Sequence, residues 1–544
     1  MAGPSGGMGS HRGFKGSGWN RRGPLATVHV VGTGAGVRGE TEASWCQGPV
    51  GVGLSHSSDK ACEGGHRPTS GWSEGEGRAG NLVEGTMSHT QRWQGIYPKL
   101  RWVQERARQK PKERFTSLAH HLTEELLFRA YRRLDPSAAP GIDGVTKEAY
   151  GRDLKQNLRD LWERLRCGTY RASPVRRCWI KKPGGGRRPL GLPTVEDKIV
   201  QGAVVELLSG VYEADFYGFS YGFRPGRGPH AALRALQTVL QKGKVNWVLD
   251  ADISEFFDTI DHKELMSVIR RRVIDRRLLR LMGKWLSVGV VEEDGRRVRS
   301  KRGTPQGGVI SPLLANIFLH HVVDGFVHEW RKGAKGEVYI VRYADDLVIA
   351  CELESEGRTL LELLDCRLRR HGLKLNRDKT RLIRFGRRWN QEDGSRSETF
   401  DFLGFTHIAG KDRQGRYLVR RKTSRKRLNR SLKAIREWCK KNRHASLRWQ
   451  WEELSLKLRG HYNYYGIRGN FESLQRFWYG AWKYWKRALS RRSEKVNKHR
   501  LHRLVTEVFV LPKPKIMHSE GWLGLNPGYL LGRAGCGNTA RPDL

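Results

Sequence analysis

The stretch VYIVRYADDLVIA, residues 338–350, places two adjacent carboxylates between two short apolar runs. The runs VYIV and LVIA are rich in β-branched residues, which favour β-strands. Asp345 and Asp346 suit a tight turn, and an ordinary surface turn is one interpretation. The flanking runs are apolar on both sides of the acids, however, as in a buried sheet. The stretch therefore predicts a buried strand–turn–strand unit with two acids at its bend.

Further acids follow an apolar run upstream, in WVLDADISEFFD, residues 247–258. Asp250 and Asp252 come directly after this run. Clustered carboxylates repel one another unless a cation lies among them, and hard oxygen ligands select Mg²⁺. Two such ions about 3.5–4 Å apart can activate a 3′-hydroxyl and stabilise a leaving pyrophosphate. The acids indicate either phosphoryl transfer on nucleic acid or ordinary turn, capping and salt-bridge roles.

The charge of the whole chain indicates a polyanionic partner. Its 544 residues include 100 Lys and Arg against 56 Asp and Glu, a formal net charge of +44. Such an excess attracts nucleic acid. A ribosome-like protein with a basic tail is the alternative, but the basic residues are spread through well-patterned sequence. The length is compatible with two to four domains.

The cysteines and apolar runs exclude several classes of protein. Eight cysteines occur, and none forms a C-x-x-C pair. This spacing disfavours a structural zinc site and a disulfide framework, and reduced intracellular thiols fit best. No apolar run approaches the roughly 20 residues of a membrane span. We therefore expect an intracellular protein with no membrane partner.

Residues 1–86 differ in composition from the rest of the chain. They are rich in Gly, Ser and Arg, and neither helical nor strand periodicity is sustained. We expect a disordered or non-native N-terminal extension, with the native start at or near Met87. A transit peptide is the alternative, but acidic residues in GETEASW and GWSEGEG argue against it.

The remaining patterns predict several local elements. VRRCWIKKPGGGRRPLGLP reads as a hairpin with the three glycines at its turn, and a helix is predicted from Val195 to about Leu208. After Lys411 the sequence is basic and helical to about Arg492. One helix there carries an apolar stripe that is better explained as core than as a base-stacking site. The stripe comprises Phe471, Leu474, Trp478, Trp482, Trp485 and Leu489.

An ordered series of motifs resembles the reverse transcriptases, and among them the group II intron-encoded reverse transcriptase/maturase family. RYADD resembles the Y-x-D-D turn, ADISEFFDTIDH the first catalytic-acid motif, and GTPQGGVISPLLANIFLH the template–primer motif. IKKPGGGRRPLGLPTVEDKIVQ and SYGFRPGRGPHAAL resemble the fingers motifs, and GLKLNRDKT and FDFLGF the last palm motifs. DPSAAPGIDGV resembles the N-terminal extension of the group II intron branch. The segment with YNYYG and WKRALSRRS resembles the thumb and maturase domain.

The resemblance implies an α+β fold with right-hand polymerase fingers and palm, an antiparallel palm sheet and a helical thumb/maturase domain. Residues 87–245 would be the N-terminal extension and fingers, and residues 246–410 the palm. Residues 411–510 would form the helical RNA-binding thumb/maturase region, and residues 511–544 an irregular tail. The tail has no paired C-x-x-C sites, so we expect no endonuclease domain.

The resemblance also implies a set of site residues. Asp252, Asp345 and Asp346 would be the catalytic triad, holding two Mg²⁺ ions for which Mn²⁺ can substitute. Asp250 and Asp258 are expected to cap or form salt bridges instead. The residues implied for binding the incoming dNTP are Lys182, Arg188, Phe257, Gln306 and Lys379. Phe257 would be the steric gate against a ribose 2′-hydroxyl, and Lys379 a general acid to pyrophosphate. A solvated basic hairpin is the alternative for Lys182 and Arg188.

Basic residues are implied as RNA contacts. They are Arg224, Arg476, Lys483, Lys486, Arg487 and Arg491. For Arg224 a structural role is equally compatible with the sequence. The implied function is reverse transcription of group II intron RNA from a DNA target primer, together with maturase action in splicing and retrohoming. We expect a bacterial cytoplasmic protein, nucleoid-associated with its intron ribonucleoprotein. A splicing-only maturase and a host-adopted reverse transcriptase, for example in defence, are the alternatives.

Overall fold

The computed structural model describes residues 97–181, 185–299, 302–304, 307–390, 397–492 and 497–518. The extension predicted for residues 1–86 lies outside the described residues, as do Lys182, Gln306 and the tail beyond residue 518. All described residues belong to one compact unit, Glu74–Leu544.

The N-terminal part consists of helices followed by a small sheet. Threonine residues are the N-caps of several of these helices. For example, the Thr194 hydroxyl accepts a hydrogen bond from the Asp197 amide. The helix predicted from Val195 to about Leu208 continues to Tyr212. The elements are α1 Arg101–Gln109, α2 Glu124–Arg133, α3 Lys147–Gly151, α4 Leu154–Arg166, β1 Val175–Lys181, β2 Arg187–Leu192, α5 Val195–Tyr212 and α6 Pro229–Lys242.

The middle of the chain alternates strands and helices. Its elements are β3 Trp247–Ala251, α7 Phe256–Thr259, α8 His262–Arg270, α9 Arg276–Ser287, β4 Val290–Val291, β5 Arg297–Val298, α10 Ser311–Leu319, a π-helix His320–Asp324, α11 Gly325–Trp330, β6 Val338–Tyr343, β7 Asp346–Cys351, α12 Glu354–Arg370 and β8 Arg381–Arg384.

The C-terminal part is a sheet followed by helices. Its elements are β9 Thr399–Phe402, β10 Phe405–Lys411, β11 Tyr417–Thr423, α13 Arg425–Lys441, α14 Leu447–Tyr465, α15 Phe471–Leu489, α16 Lys498–Arg503 and a π-helix Leu504–Val508. No described helix is both long enough and apolar enough to span a membrane.

The described strands form three sheets. The first has the order β2-β1-β4-β5 and contains the predicted glycine hairpin, in which Lys181 pairs with Arg187. The central sheet has the order β6-β7-β3-β8, and every neighbouring pair in it is antiparallel. The third has the order β11-β10-β9. It crosses the domain boundary expected at residue 410, because β10 pairs with β11.

The central sheet is buried on both faces, as its apolar strands predict. Leu249, Ile340 and Ile349 join a core formed with the helices of the N-terminal and middle parts. Val248 and Val341, on the opposite face, join a second core with the third sheet and the C-terminal helices. Since strand side chains alternate between faces, one sheet separates two cores and is held rigidly between them.

The predicted apolar stripe of α15 is part of the second core. Leu474, Trp485 and Leu489 are buried, and the Trp485 indole donates to the Gln450 side-chain oxygen at 3.0 Å. Phe471, at the first position of the helix, is 48% exposed, so its assignment to the buried stripe is wrong. Trp478 and Trp482 are only partly buried, whereas Phe477 and Ala481 complete the buried face.

Candidate active site

The two adjacent acids lie at the end of the β6–β7 hairpin. Tyr343 pairs with Asp346, so Ala344 and Asp345 form a two-residue turn. Ala344 has a φ of 57°, in the left-handed region that such hairpin turns use. A residue other than glycine adopts this conformation only where its surroundings impose it. The position of Asp345 is therefore set by what packs around the turn.

Asp252 approaches these acids from the neighbouring strand. Ala251 of β3 pairs with Leu347 of β7 in antiparallel register. Asp252 follows Ala251, and Asp346 precedes Leu347, so both acids lie at the same edge of the central sheet. The structure thus brings the three predicted acids together.

The acids interact through their charges. The pKa of Asp345 is raised by burial and by the negative charge of Asp252. Asp346 is exposed at the first position of β7, but protein around its carboxyl reduces the hydration of that group. This desolvation, with the charges of Asp345, Asp252 and Asp250, raises the pKa of Asp346 to about 7. Ionising all three carboxyls is unfavourable without a nearby cation.

Lys379 supplies a positive charge at the edge of this group. Its ammonium lies 2.9 Å from a carboxylate oxygen of Asp252, and this hydrogen bond raises the pKa of Lys379. The backbone amide of Asn376 donates to the Asp252 carbonyl at 2.8 Å, which holds the Lys379 loop against the end of β3. The structure therefore places Lys379 directly at the predicted triad.

The donor set fits a divalent cation chemically, because the three side chains offer carboxylate oxygens with unfavourable mutual charge. Within the described ranges, no three His, Cys, Asp or Glu side chains converge as a ready metal-binding group. The Asp252 carboxylate instead contacts Lys379. A cation shared by the three acids would compete with the Lys379 ammonium for the Asp252 carboxylate.

The two acids expected not to bind metal lie beside this group. Asp250 is opposite Arg381 in the sheet register. Burial raises the pKa of Asp250 to about 6, against the opposing effect of the Arg381 charge. Asp258 is exposed in α7. Both placements are compatible with the expected electrostatic or capping roles.

A buried arginine, which sequence reasoning quoted in RYADD but gave no role, supports the acid turn. The Arg342 side chain is 1% exposed. Its guanidinium donates to both oxygens of Asp324 at 2.7 and 2.6 Å, to the Asn316 oxygen at 2.9 Å and to the Ser220 hydroxyl at 2.7 Å. It also donates to the Ala344 carbonyl at 2.8 Å, inside the turn itself. Arg342 thus links the acid turn to three other segments.

A π-helix brings the partners of Arg342 together. Helix α10 and helix α11 are joined without a break by the π-helix His320–Asp324. This local widening lets Asp324 and Asn316, eight positions apart, both reach one guanidinium. π-Helical turns are frequent at functional sites. The helical segment that begins in the motif resembling the template–primer loop therefore also supports the acid turn.

The segment Phe219–Gly222 packs directly on the same turn. The Arg342 amide donates to the Phe219 carbonyl, and the Tyr221 amide donates to the Arg342 carbonyl, each at 2.9 Å. A Cβ atom on Gly222 would lie 2.2 Å from the backbone nitrogen of Ala344. Only glycine permits this approach without moving the turn.

Replacing Gly222 by alanine is expected to lower the free energy of unfolding by about 1–3 kcal/mol, because backbone must move to admit the methyl group. The turnover number for DNA synthesis should fall as well, since the displaced atoms belong to the acid turn. Chemical unfolding and primer extension measure the two effects.

Gly283→Ala is the matched control. Its Cβ would meet no atom within 4 Å in α9, so this change should stabilise the helix by about 0.5–1 kcal/mol. Equal stability of the Gly222 variant and the wild type would contradict the described contact.

The residues predicted to bind a nucleotide are only partly described. Arg188 lies on β2 opposite Ile180, and its charge partly opposes the rise in the pKa of Asp345, so the hairpin brings it near the acids. Lys182 and Gln306 lie outside the described residues. Gly307 has a φ of 110°, and a Cβ there would lie 2.4 Å from the Gly191 carbonyl oxygen. The predicted template–primer loop therefore packs on β2.

Phe257 lies between Asp252 and this loop in the sequence. It is partly buried, and its ring meets that of Phe256 edge-on at 5.4 Å between centroids. Its carbonyl accepts a hydrogen bond from the Thr304 amide at 2.7 Å. The predicted gate is thus tied by its backbone to the predicted template–primer loop.

Comparison with known proteins agrees with this arrangement. Residues 180–407 match the family model described as reverse transcriptase (RNA-dependent DNA polymerase). Protein YkfC of Escherichia coli K12 is 34% identical over 314 residues, covering 52% of this chain and 78% of that protein. The group II intron-encoded protein LtrA of Lactococcus lactis subsp. cremoris is 36% identical over 217 residues. The chain belongs to the group II intron-encoded reverse transcriptase/maturase family.

Other matches extend over less of each relative. The aligned segment covers 40% of this chain and 36% of LtrA. The nuclear intron maturase 1, mitochondrial, of Arabidopsis thaliana is 32% identical over 90 residues, 16% of this chain and 12% of that protein. The predicted family, and the reverse transcriptase and maturase functions that define it, are confirmed.

One residue that the resemblance assigned to RNA binding in this reverse transcriptase is directed inward. Arg224 is 4% exposed. Its guanidinium donates to both oxygens of Glu213 and to the carbonyls of Tyr217 and Ser220. Through these hydrogen bonds the Arg224 guanidinium holds the segment that precedes Gly222 in place. The RNA-binding assignment of Arg224 is therefore corrected to the structural alternative.

The other basic residues assigned to RNA lie on or just after α15. Arg476, Lys483 and Arg487 are exposed at positions that share one face of the helix. Arg476 forms an ion pair with Glu472 at 2.6 Å. Lys486 is partly buried and contacts a ring nitrogen of His502 at 3.0 Å. Arg491 is exposed beyond the helix. The structure leaves this face accessible, and the contact with RNA stays a prediction.

Proposed function

We propose that this protein copies group II intron RNA into DNA with Asp252, Asp345 and Asp346 as its catalytic acids. The observation that carries the proposal is the strand register, which places these three acidic residues at one edge of the central sheet. The β6–β7 turn holds Asp345 and Asp346, and the end of β3 holds Asp252. Burial, together with the negative charges of the neighbouring acids, raises the pKa of Asp345 and Asp346, and a divalent cation would relieve the charge repulsion.

Asp252, Asp345 and Asp346 would hold two Mg²⁺ ions, with Mn²⁺ as a substitute. When bound, these ions supply activation of the primer 3′-hydroxyl and stabilisation of the leaving pyrophosphate. Arg188 would bind the triphosphate from the hairpin, with Lys182 and Gln306 as further predicted contacts. Lys379, freed from Asp252, would carry the proton that the pyrophosphate receives.

The right-hand arrangement is part of the same proposal. Residues 87–245 would act as the N-terminal extension and fingers, residues 246–410 as the palm and residues 411–510 as the thumb and maturase region. The antiparallel central sheet, with the acids at its edge, supports the palm assignment. The helices α13–α15, with one buried and one basic face, support the thumb assignment.

The partners follow from the reaction. They are the group II intron RNA as template and splicing substrate, a DNA target that provides the primer, and dNTPs. The net charge of +44 supports a nucleic acid partner. A bacterial cytoplasmic ribonucleoprotein associated with the nucleoid is the proposed setting.

Primer extension on an RNA template with Mg²⁺ and dNTPs tests the proposal. The wild type should synthesise cDNA and should also accelerate splicing of the intron RNA. A splicing-only maturase, the second candidate, would bind and splice that RNA without making cDNA. Absence of cDNA under conditions where the protein binds RNA would refute the polymerase assignment.

Replacing Phe257 by valine is expected to reduce discrimination against ribonucleotides at least about tenfold, because the smaller side chain admits a 2′-hydroxyl. The ratio of kcat/KM for dNTP to that for rNTP measures the effect. Phe128→Val, at an exposed aromatic residue of α2, is the control and should leave this ratio unchanged. If the Phe257 variant kept the wild-type ratio of kcat/KM for dNTP to that for rNTP, Phe257 would not be the steric gate.

A further inference from the structure

Three arginines meet outside the acidic site, where α8, the π-helix and α12 come together. Arg271 follows α8, and its guanidinium donates to the Nδ1 atom of His321 at 3.3 Å. Arg367 of α12 donates to the His321 carbonyl at 3.3 Å and to the Val322 carbonyl at 2.8 Å. Arg370 ends α12 and is exposed. Arg271, Arg367 and Arg370 are called the arginine cluster below.

The charges of the arginine cluster repel one another. The pKa of Arg367 is lowered by burial and by the charges of Arg370 and Arg271. Burial and the charges of Arg271 and Arg367 lower the pKa of His321 to about 4. His321 is therefore neutral near pH 7, and it accepts from Arg271 without adding charge.

Two carboxylates near the cluster contact other side chains. Asp365 pairs with Arg369 at 2.5 Å and with Arg377 at 2.8 Å. Glu264 contacts a ring nitrogen of His371 at 2.7 Å. In the part of the chain that the structure describes, the three cluster arginines form ion pairs with no Asp or Glu. The positive charges of the cluster are therefore not neutralised by a described carboxylate, and their repulsion favours an anionic ligand.

The positions of the guanidiniums are also partly fixed. Two carbonyls of the π-helix hold Arg367, whose guanidinium lies 5.4 Å from the centre of the Phe326 ring. The His321 ring holds Arg271. Since guanidiniums bind phosphate through paired N–H groups, fixing them in advance lowers the entropy lost on binding.

We propose that the arginine cluster is a binding site for the phosphodiester backbone of structured RNA, on a face of the protein separate from α13–α15. This inference rests on the proposed function, which makes the intron RNA the partner. It extends the RNA-binding surface from the C-terminal helices to the outer side of the segment that carries the acids.

The test is the double variant Arg271→Gln/Arg370→Gln, which keeps Arg367 because that side chain holds the π-helix carbonyls. Binding of a structured group II intron RNA is measured by fluorescence anisotropy over a series of salt concentrations. We expect Kd to rise about tenfold near 0.1 M salt and the slope of log K against log [salt] to fall in magnitude by about 1.5–2, the loss of two phosphate contacts. Primer extension on a short template–primer should stay within about twofold of wild type.

Arg276→Gln/Arg277→Gln, on the exposed side of α9, is the matched control with the same change in charge. Its Kd and salt slope should stay close to the wild-type values. Equal effects of the two double variants would overturn the proposal, because general charge would then explain the binding.

If the Arg271/Arg370 variant bound intron RNA with the wild-type Kd and the wild-type salt slope, the arginine cluster would not be an RNA-binding site. The proposed function would be unaffected by that result. If the wild type itself bound no intron RNA, the proposed function would fail first. Loss of primer extension in parallel with RNA binding would also contradict the proposal, since it would indicate a damaged fold.

Discussion

Replacing Asp345 by asparagine is expected to reduce cDNA synthesis at least about a thousandfold, with little change in RNA affinity. The amide keeps the size of the side chain but removes the negative charge that would hold the metal ions and the transition-state charge. The turn itself should persist, because its conformation depends on backbone pairing and on Arg342. Primer extension under single-turnover conditions measures the loss.

Two further measurements distinguish loss of chemistry from loss of structure. Splicing assistance by the Asp345 variant should remain near the wild-type level, because binding RNA does not require the catalytic acids. Asp412→Asn, in the exposed β10–β11 turn, removes the same charge away from the acids and should leave cDNA synthesis unchanged. An active Asp345→Asn enzyme would exclude this residue from the chemistry.

Replacing Arg342 by leucine is expected to lower the free energy of unfolding by about 3–5 kcal/mol, because it leaves the Asp324 carboxylate buried without its cation. The side chain of Asp324 is 0% exposed. The cDNA yield should also fall, since the donor to the Ala344 carbonyl is lost. Chemical unfolding and primer extension measure the two effects.

A double-mutant cycle identifies the source of the loss. Arg342→Leu/Asp324→Leu should be more stable than Arg342→Leu alone, since no unpaired charge then remains buried. It should still synthesise cDNA poorly, because the acid turn lacks its support. Lys332→Leu breaks an exposed ion pair with Glu329 and should cost less than about 1 kcal/mol. A similarly small cost for Arg342→Leu would contradict the described network.

The network also explains why Gly222 and Arg224 lie in one motif. Arg224 holds the carbonyls of Tyr217 and Ser220, and Ser220 in turn accepts from Arg342. Gly222 then contacts the acid turn directly. The motif resembling a fingers element thus contributes to the geometry of the acids, and a substitution in it should change catalysis without touching nucleic acid.

Local patterns predicted the parts of the fold that depend on neighbours in the chain. The apolar runs on either side of Asp345 and Asp346 became β6 and β7, since alternating strand side chains must be buried on both faces of the central sheet. The glycine-rich hairpin and the helix beginning at Val195 formed for similarly local reasons. The apolar stripe was predicted correctly for most of α15. Phe471, at the start of the helix, is exposed because the core does not extend to that position.

Apart from the site residues that the family resemblance implied, long-range contacts had no signal in the sequence. Ser220 and Arg342 are 122 positions apart, and Lys379 and Asp252 are 127 apart. Arginine and lysine are compatible with solvent, nucleic acid or a buried carboxylate, so composition could not assign them. The one local feature that indicates burial of Arg342 is its position within an apolar strand.

The sequence by itself determined the central hairpin, the presence of two further acids at the end of another strand and the basic character of the chain, because periodicity and charge are properties of the residues alone. Only the tertiary structure decided which charges meet. In the folded protein Arg224 is buried, Lys379 contacts Asp252, and Arg342 donates a hydrogen bond to the acid turn. The physical reason is that the cost of burying a charge depends on the partner that folding brings to it.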